Sequence, residues 1–319
     1  MFYSIRHVTT FHYSDPISES MMEVRLQPRT DEHQRCVRFQ IVLSPKSGLN
    51  VNRDYLGNII HNFDIPGQHE KLAITTESIV EMEASPLLPE ALSPEAWEQY
   101  ADLGRDYDLY DMLMPGKFTI MSPTLESFMQ EMNFVRRDDP FSLVKEINAK
   151  IYSAFDYDQT TTDVDSTIDE ALLERRGVCQ DYVHVMVAVL RGLGIPARYI
   201  SGYLFHRQNY DRSAVDASHA WLEAWFPTLG WVGFDPTNNI ITQDRHIRVA
   251  MGRDYADVPP TKGVFKGSAD TELKVAVQVK RMEYVPHQEE TLVSPYDYSL
   301  AVQNQRRIHI QQQQQQQQQ

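Results

Sequence analysis

The chain has 319 residues, a formal net charge of −14, 42 % hydrophobic and 23 % charged residues. Such a composition supports packed cores in two domains of ordinary size. The acidic balance argues against nucleic acid as a main partner, because a phosphate backbone needs a basic footprint, and it disfavours an anionic membrane surface.

The first residues, MFYSIRHVTTFHYSD, contain no apolar core with a small-residue cleavage site, and no apolar run in the chain approaches the ~20 residues of a membrane span. They alternate instead: Tyr3, Ile5, His7, Thr9 and Phe11 fall on one face of a strand. Val37, Phe39, Ile41 and Leu43 repeat the pattern, and Leu72, Ile74, Thr76, Ser78 and Val80 repeat it more weakly. Leu56-Gly57-Asn58 marks a hairpin turn between them. Residues 1–84 therefore read as an antiparallel β-sandwich-like domain. Cys36 lies opposite the apolar face of its strand and reads as a structural thiol.

Residues 85–138 read as a connector with short helices, one opened by Ser93-Pro94 and one by Ser122-Pro123. A second domain, 139–285, begins at Asp139-Pro140. Leu143, Ile147, Ile151 and Phe155 recur every fourth residue, which is a helical stripe. Ser166 with Asp169 resembles a capping box, and Gly177 fits a helix C-terminus. The helix that follows starts near Cys179 and ends at RGLGIP. After it the period changes to two: ARYISGYL, SHAWLEAWF, GWVGFDP and LKVAVQVK read as strands of one antiparallel sheet. The fold class is α+β, with helices packed on that sheet. Residues 286–319 form a tail whose last nine residues are glutamine, with no apolar side chain to bury.

Two cysteines so far apart make neither a disulfide framework nor a CxxC site, and a reducing cytoplasm is the expected location. Cys179, His219 and Asp235 stand in order on a helix start and two successive strands. A helix N-terminus favours a thiolate, and so does an imidazolium beside it. His219 can take the thiol proton and return it to a leaving amine, and Asp235 can orient the imidazole. The backbone N–H of Cys179 points to where an oxyanion would form; Tyr157 and Trp221 are candidates for a second donor or a cleft-lining role. Trp225 and Trp231 read as sheet core. His184 falls about 140° around the helix from Cys179, and Asp181 also faces away. His206, in a polar loop, shows no orienting acid. No cluster of His and carboxylate ligands and no calcium-loop pattern is visible, so no metal or cofactor is expected.

GVCQDYVHVMVAVLRGLGIPARYISGYL and ASHAWLEAWFPTLGWVGFDPTNN resemble the bacterial transglutaminase-like superfamily, relatives of papain-type cysteine peptidases. The likeness is close over roughly 140–245. It extends outward through DYLGN, which resembles the β domain preceding this core, and DVPPTKGVFKG, which resembles the segment after it. The resemblance implies a papain/transglutaminase-like core with Cys179 as nucleophile, His219 as general base and acid, and Asp235 as orienting acid. It implies acyl transfer from an amide in a protein or peptide substrate through a thioester. Hydrolysis of a peptide or isopeptide-type amide is the favoured outcome. Amine cross-linking, with the glutamine tail as a conceivable self-substrate, is the alternative. A non-catalytic binding or scaffold module is the reading from another class.

Overall fold

The computed structural model describes residues 1–160, 165–207, 211–214 and 217–284, and over 102–105 the backbone alone. Its N-terminal sheet is built on two long antiparallel strands, β1 (Phe2–Val24) and β4 (Ile59–Met82). β2 (Gln34–Ser44) and β3 (Asn50–Arg53) pair with β4. The β1–β4 ladder breaks register between His12 and Ile17 and again before Glu19. Residues on both sides of the break, Tyr13, Ile17, Met22 and Val24 on β1 and Phe63, Ile65, Leu72 and Ile74 on β4, share one apolar cluster. One continuous sheet thus doubles over its own core, which is how a sandwich-like layer arises from so few strands.

The alternation predicted for β4 holds, since Leu72, Ile74, Thr76, Ser78 and Val80 are all buried. On β1, Tyr3, Ile5, His7 and Thr9 are buried as well. Tyr3, Ile5, Val80 and Met82 belong to the larger core of the molecule, so this end of the sheet packs against the helical part.

The connector carries a 3-10 helix from Pro94 to Arg105, then α1 (Tyr107–Asp111) and α2 (Pro123–Glu131). α3 (Pro140–Ala154) follows. Ser122 and Asp139 cap α2 and α3 through their side-chain oxygens, each with a proline at the first helical turn. Next come β5 (Asp156–Tyr157), α4 (Ile168–Glu174), β6 (Arg176–Gly177) and α5 (Cys179–Gly192). The N-cap position of α4 is Thr167, one residue after the Ser166 of the predicted box, and the Asp169 carboxylate accepts the Ser122 hydroxyl. Residues 180–191 are buried on every face of α5, as its valine-rich sequence requires.

α5 packs on a second antiparallel sheet. Its strands are β7 (Ala197–Leu204), β8 (His219–Phe226), β9 (Gly230–Asp235), β10 (Ile240–Ile241) and β11 (His246–Gly252), in spatial order β10-β9-β8-β7-β11. β10 and β11 escaped the sequence reading, although Ile247, Val249 and Ala250 in HIRVAMG are all buried.

The fourth strand assigned to this sheet, LKVAVQVK, lies elsewhere. β12 (Thr261–Lys266) and β13 (Thr271–Met282) both pair with β1 and complete the N-terminal sheet. The core between 139 and 252 is thereby clasped by a sheet built from both ends of the described chain. The reading of residues 286–319 as a tail falls outside the described residues. Among the described residues no helix is long and apolar enough to cross a membrane.

Candidate active site

Cys179 is the first residue of α5 and is half-buried. Its position is set from the preceding turn. The Asp181 carboxylate accepts the Val178 N–H at 2.8 Å, which closes the helix start. Gly177 sits in β6 opposite Tyr157 of β5 and is not the C-cap of α4; that place belongs to Arg175, in the left-handed region at φ 54°. Glycine is needed at 177 for a different reason: a Cβ there would lie 2.4 Å from the Asp181 carboxylate.

His219 opens β8 and Asp235 closes β9. Register places Leu222 opposite Phe234, which puts Asp235 on the diagonal from His219 on the same face. His219 Nε2 is 2.8 Å from Asp235 Oδ2, and both side chains are fully buried. Burial alone would push the imidazole down. The Asp235 charge and hydrogen bond, joined by the Cys179 sulfur, outweigh it and raise His219 to about 10. The same interactions hold Asp235 well below the usual carboxylate range against its burial. With Nε2 committed to Asp235, Nδ1 is the ring nitrogen left to face the thiol. It is buried and makes no hydrogen bond among the described residues, while the Cys179 sulfur is near enough to raise the imidazole.

Asp235 is held from every side. Oδ1 accepts the backbone N–H groups of Thr237 and Asn238 at 3.1 and 3.2 Å. Oδ2 accepts Asn238 Nδ2 at 2.8 Å and faces His246 Nε2 at 3.2 Å, besides His219. β11 lies three places from β9 in the strand order, roughly 14 Å in a flat sheet. For His246 to reach Asp235 the sheet must curl toward a barrel, with His219, Trp221, Glu223, Asp235 and His246 inside. Gly202 makes room for the curl. A Cβ on Gly202 would lie 2.2 Å from the Ile247 carbonyl oxygen and 2.6 Å from the Trp221 ring.

The two candidate donors separate. The Tyr157 hydroxyl accepts the Ala214 N–H at 3.2 Å and also has the Gln159 side chain as a hydrogen-bonding neighbour. Burial, and after it the Cys179 charge, push this phenol up, so it stands within reach of the sulfur's field. Trp221 instead sits behind the pair. It stacks on His219 at 6.1 Å between centroids and meets His246 edge-on at 5.2 Å. It also lines a cleft of about 570 Å³, together with His246, Trp231, Leu87 and Leu88. Trp225 and Trp231 are both partly buried and pack against the large apolar cluster, with the Arg198 guanidinium over the Trp231 ring.

The rival residues are also placed. His184 is stacked on Phe118 and its Nε2 accepts the Tyr255 N–H, away from Cys179. His206 does have an acid nearby: Asp211 Oδ2 is 3.8 Å from its Nδ1, but that carboxylate is gripped by Arg245 at 2.6 and 2.9 Å. Asp181, expected to face away, turns back to cap the helix start. The fold also assembles the His and carboxylate cluster that linear spacing hid. Ligand-capable atoms of His219, Asp235 and His246 lie within 4.8 Å of one another. The hydrogen bonds fill that space: the Gln243 N–H points at His246 Nδ1, at 3.5 Å, which keeps the His246 proton on Nε2 against Asp235.

A curled antiparallel sheet packed on a central helix that begins with the cysteine is a mixed α/β architecture with a transglutaminase-like core. Family models agree: the transglutaminase-like superfamily matches residues 132–236, and the bacterial transglutaminase-like N-terminal region matches residues 3–81. The chain belongs to the transglutaminase-like superfamily and carries the bacterial N-terminal region. An uncharacterized protein of Mycobacterium leprae is 32 % identical over 278 residues, which cover 86 % of this chain and 97 % of that one. A protein-glutamine gamma-glutamyltransferase of Pseudomonas aeruginosa is 36 % identical over 94 residues, 28 % of this chain and 14 % of its own. Among solved structures, a candidate cysteine protease of Cytophaga hutchinsonii superposes with a TM-score of 0.70 at 20 % identity, covering 91 % of this chain and 94 % of its own.

Proposed function

We propose that the protein catalyses thiol-dependent acyl transfer from an amide in a protein or peptide, with Cys179 as nucleophile, His219 as proton carrier and Asp235 as its fixed counter-charge. The observation that carries this reading is the fully buried 2.8 Å contact between His219 Nε2 and Asp235 Oδ2, which leaves Nδ1 for the thiol at the head of α5. His219 Nδ1 carries the proton taken from Sγ before the attack, and the sulfur anion adds to the carbonyl carbon. Negative charge forms on the carbonyl oxygen, where the first-turn N–H of Cys179 and the Tyr157 hydroxyl can meet it. The C–N bond breaks, and the amine leaves with the proton from His219. A thioester remains on Cys179.

Hydrolysis completes the cycle in this proposal. Cys179 is half-exposed, so water reaches the thioester, and His219 activates it without a second binding site. Transfer to an amine is the second reading, favoured by the 94-residue likeness to the Pseudomonas glutamyltransferase. A cytoplasmic location belongs to the same proposal, because a free thiol nucleophile persists in a reducing compartment. The test is a glutamine-bearing peptide library incubated with wild-type protein or Cys179→Ala, with and without a primary amine, and read by mass. Cleaved or deamidated peptides that vanish with Cys179→Ala support hydrolysis. Amine adducts that vanish likewise support transfer. Products that persist in Cys179→Ala would remove the thiol from the mechanism.

A further inference from the structure

The carboxylate of Asp235 is shared, and the third partner on its outer oxygen comes from a strand the triad motif does not include. His246 opens β11, beyond β7 from the catalytic strands, and is brought back over Asp235 by the curl of the sheet. We propose that His246 is a positioning residue of the Cys179 site: its Nε2–H donates to Asp235 Oδ2 and competes there with His219, which loosens the carboxylate's grip on the His219 proton so that the proton can be returned to the leaving amine. The inference rests on the proposed roles of Cys179, His219 and Asp235.

The geometry determines which form of His246 does this. The Gln243 N–H points at its Nδ1, so the ring proton stands on Nε2, 3.2 Å from Oδ2. The ring is 2 % exposed, and Trp221 packs edge-on against it. The charged and titratable groups around it come from several elements. Asp235 on β9 faces it, His219 on β8 stands 6.3 Å away between centroids, and Arg245 is its own chain neighbour. His206, beyond β7, is in turn close enough to feel His219. A second imidazolium here would oppose both His219 and Arg245, and burial pushes His246 down in the same direction. His246 is thus a neutral donor. A neutral donor withdraws charge from the oxygen it shares, whereas a cation would compete with His219 for the pair outright.

The consequence runs against the usual expectation that more donors strengthen a triad. His219 alone with Asp235 in a sealed site would hold its proton too firmly to act as a general acid near neutral pH. His246 and Asn238 divide the carboxylate's capacity and keep the proton transferable. Trp221 packs against both imidazoles.

Iodoacetate reads this directly. Its carboxylate is drawn to the imidazolium, so its rate with the Cys179 thiolate falls when His219 loses its proton, and the alkaline limb of the rate reports His219. The expected result is that His246→Phe moves that limb upward by about one pH unit, equivalent to about 1.4 kcal/mol. His246→Gln, whose amide N–H can occupy the Nε2 position, should return it most of the way. In parallel, ¹⁵N-histidine NMR of the wild-type protein should find His246 neutral with its proton on Nε2 from about pH 5 to 9. That measurement stands even where His246→Phe fails to fold. An unmoved limb in a His246→Phe protein whose Cys179 still outpaces Cys36 would overturn the role of His246 alone, as would a His246 that titrates in this range. A wild-type Cys179 no faster than Cys36 would overturn the triad reading and this inference together.

Discussion

The Asp181 carboxylate occupies the space a side chain on Gly177 would need, with its Oδ2 2.4 Å from the position of a Cβ. The same carboxylate accepts the Val178 N–H and so fixes the turn from which Cys179 emerges. Gly177→Ala should therefore push the cap apart, at a cost of about 1–3 kcal/mol as for other overpacked sites. Asp181→Ala alone should cost about 1 kcal/mol through the lost cap. The pair should be less than additive, because removing the carboxylate clears room for the alanine methyl. A urea-unfolding double-mutant cycle measures this, and strictly additive costs would show that the two residues do not share that space.

The two thiols should differ sharply. Burial pushes Cys36 up to about 11, and its Sγ–H points at the Arg38 carbonyl. Cys179 faces the His219 ring instead. Iodoacetamide at pH 7 should label Cys179 at least about a hundredfold faster than Cys36, since only the thiolate reacts. His219→Ala should remove most of the difference. Peptide mass mapping over time decides it, and equal rates at the two cysteines would mean that the imidazole does not take the thiol proton.

Asp235→Asn should separate the charge of the pair from its shape. In the wild-type protein His219 is raised above its unfolded value of about 6.5. Its contribution to stability is therefore complete below pH 6.5 and is lost as pH rises toward about 10. Asp235 is depressed, so the same ion pair, counted once, is lost on the acid side as pH falls below the ordinary aspartate range. Asp235→Asn leaves burial as the main influence on His219, which should be neutral at pH 7. Stability should then be flat between pH 6.5 and 10 where the wild type declines, and Cys179 alkylation at pH 7 should fall by about 10²–10⁴-fold. Urea unfolding at pH 6.5 and 9.5 provides the comparison; parallel declines in both proteins would place the alkaline loss elsewhere.

Much of this was legible in the chain because the signals are local. Ser122-Pro123 and Asp139-Pro140 announce α2 and α3 through caps that lie within a few residues, and the alternation in β4 needs only its own side chains. Cys179, His219 and Asp235 each stand at an element's end, where a functional side chain leaves the regular pattern. His246 was missed because its role depends on closure: nothing in DRHIRVAMG signals that the sheet curls until β11 overlies β9. β13 was assigned to the wrong sheet for the same reason, since period-two alternation identifies a strand but not its neighbour. His206 and Asp211 are separated by loop sequence, and the fold brings them to 3.8 Å with Arg245 on the same carboxylate.

Glu223 tests the curled sheet itself. It is fully buried inside the curl, where its two oxygens take Arg198 at 2.6 Å and Arg248 at 2.6 Å. Arg248 also lies 3.9 Å from Asp31, and its backbone is held at both ends by the Gln34 amide. The carboxylate thus joins β7, β8 and β11 and reaches the segment before β2. Desolvation raises a buried carboxylate, but the two guanidinium charges outweigh it and keep Glu223 ionised. Glu223→Gln removes the charge and leaves two arginines facing each other in the interior, which should cost about 3–5 kcal/mol. Because Glu223 touches neither His219 nor Asp235, the protein that remains folded should alkylate Cys179 at the wild-type rate. Urea unfolding and iodoacetamide kinetics on the same sample distinguish the two effects. Full stability in Glu223→Gln would mean that water, rather than this ion triad, satisfies the inner face of the sheet.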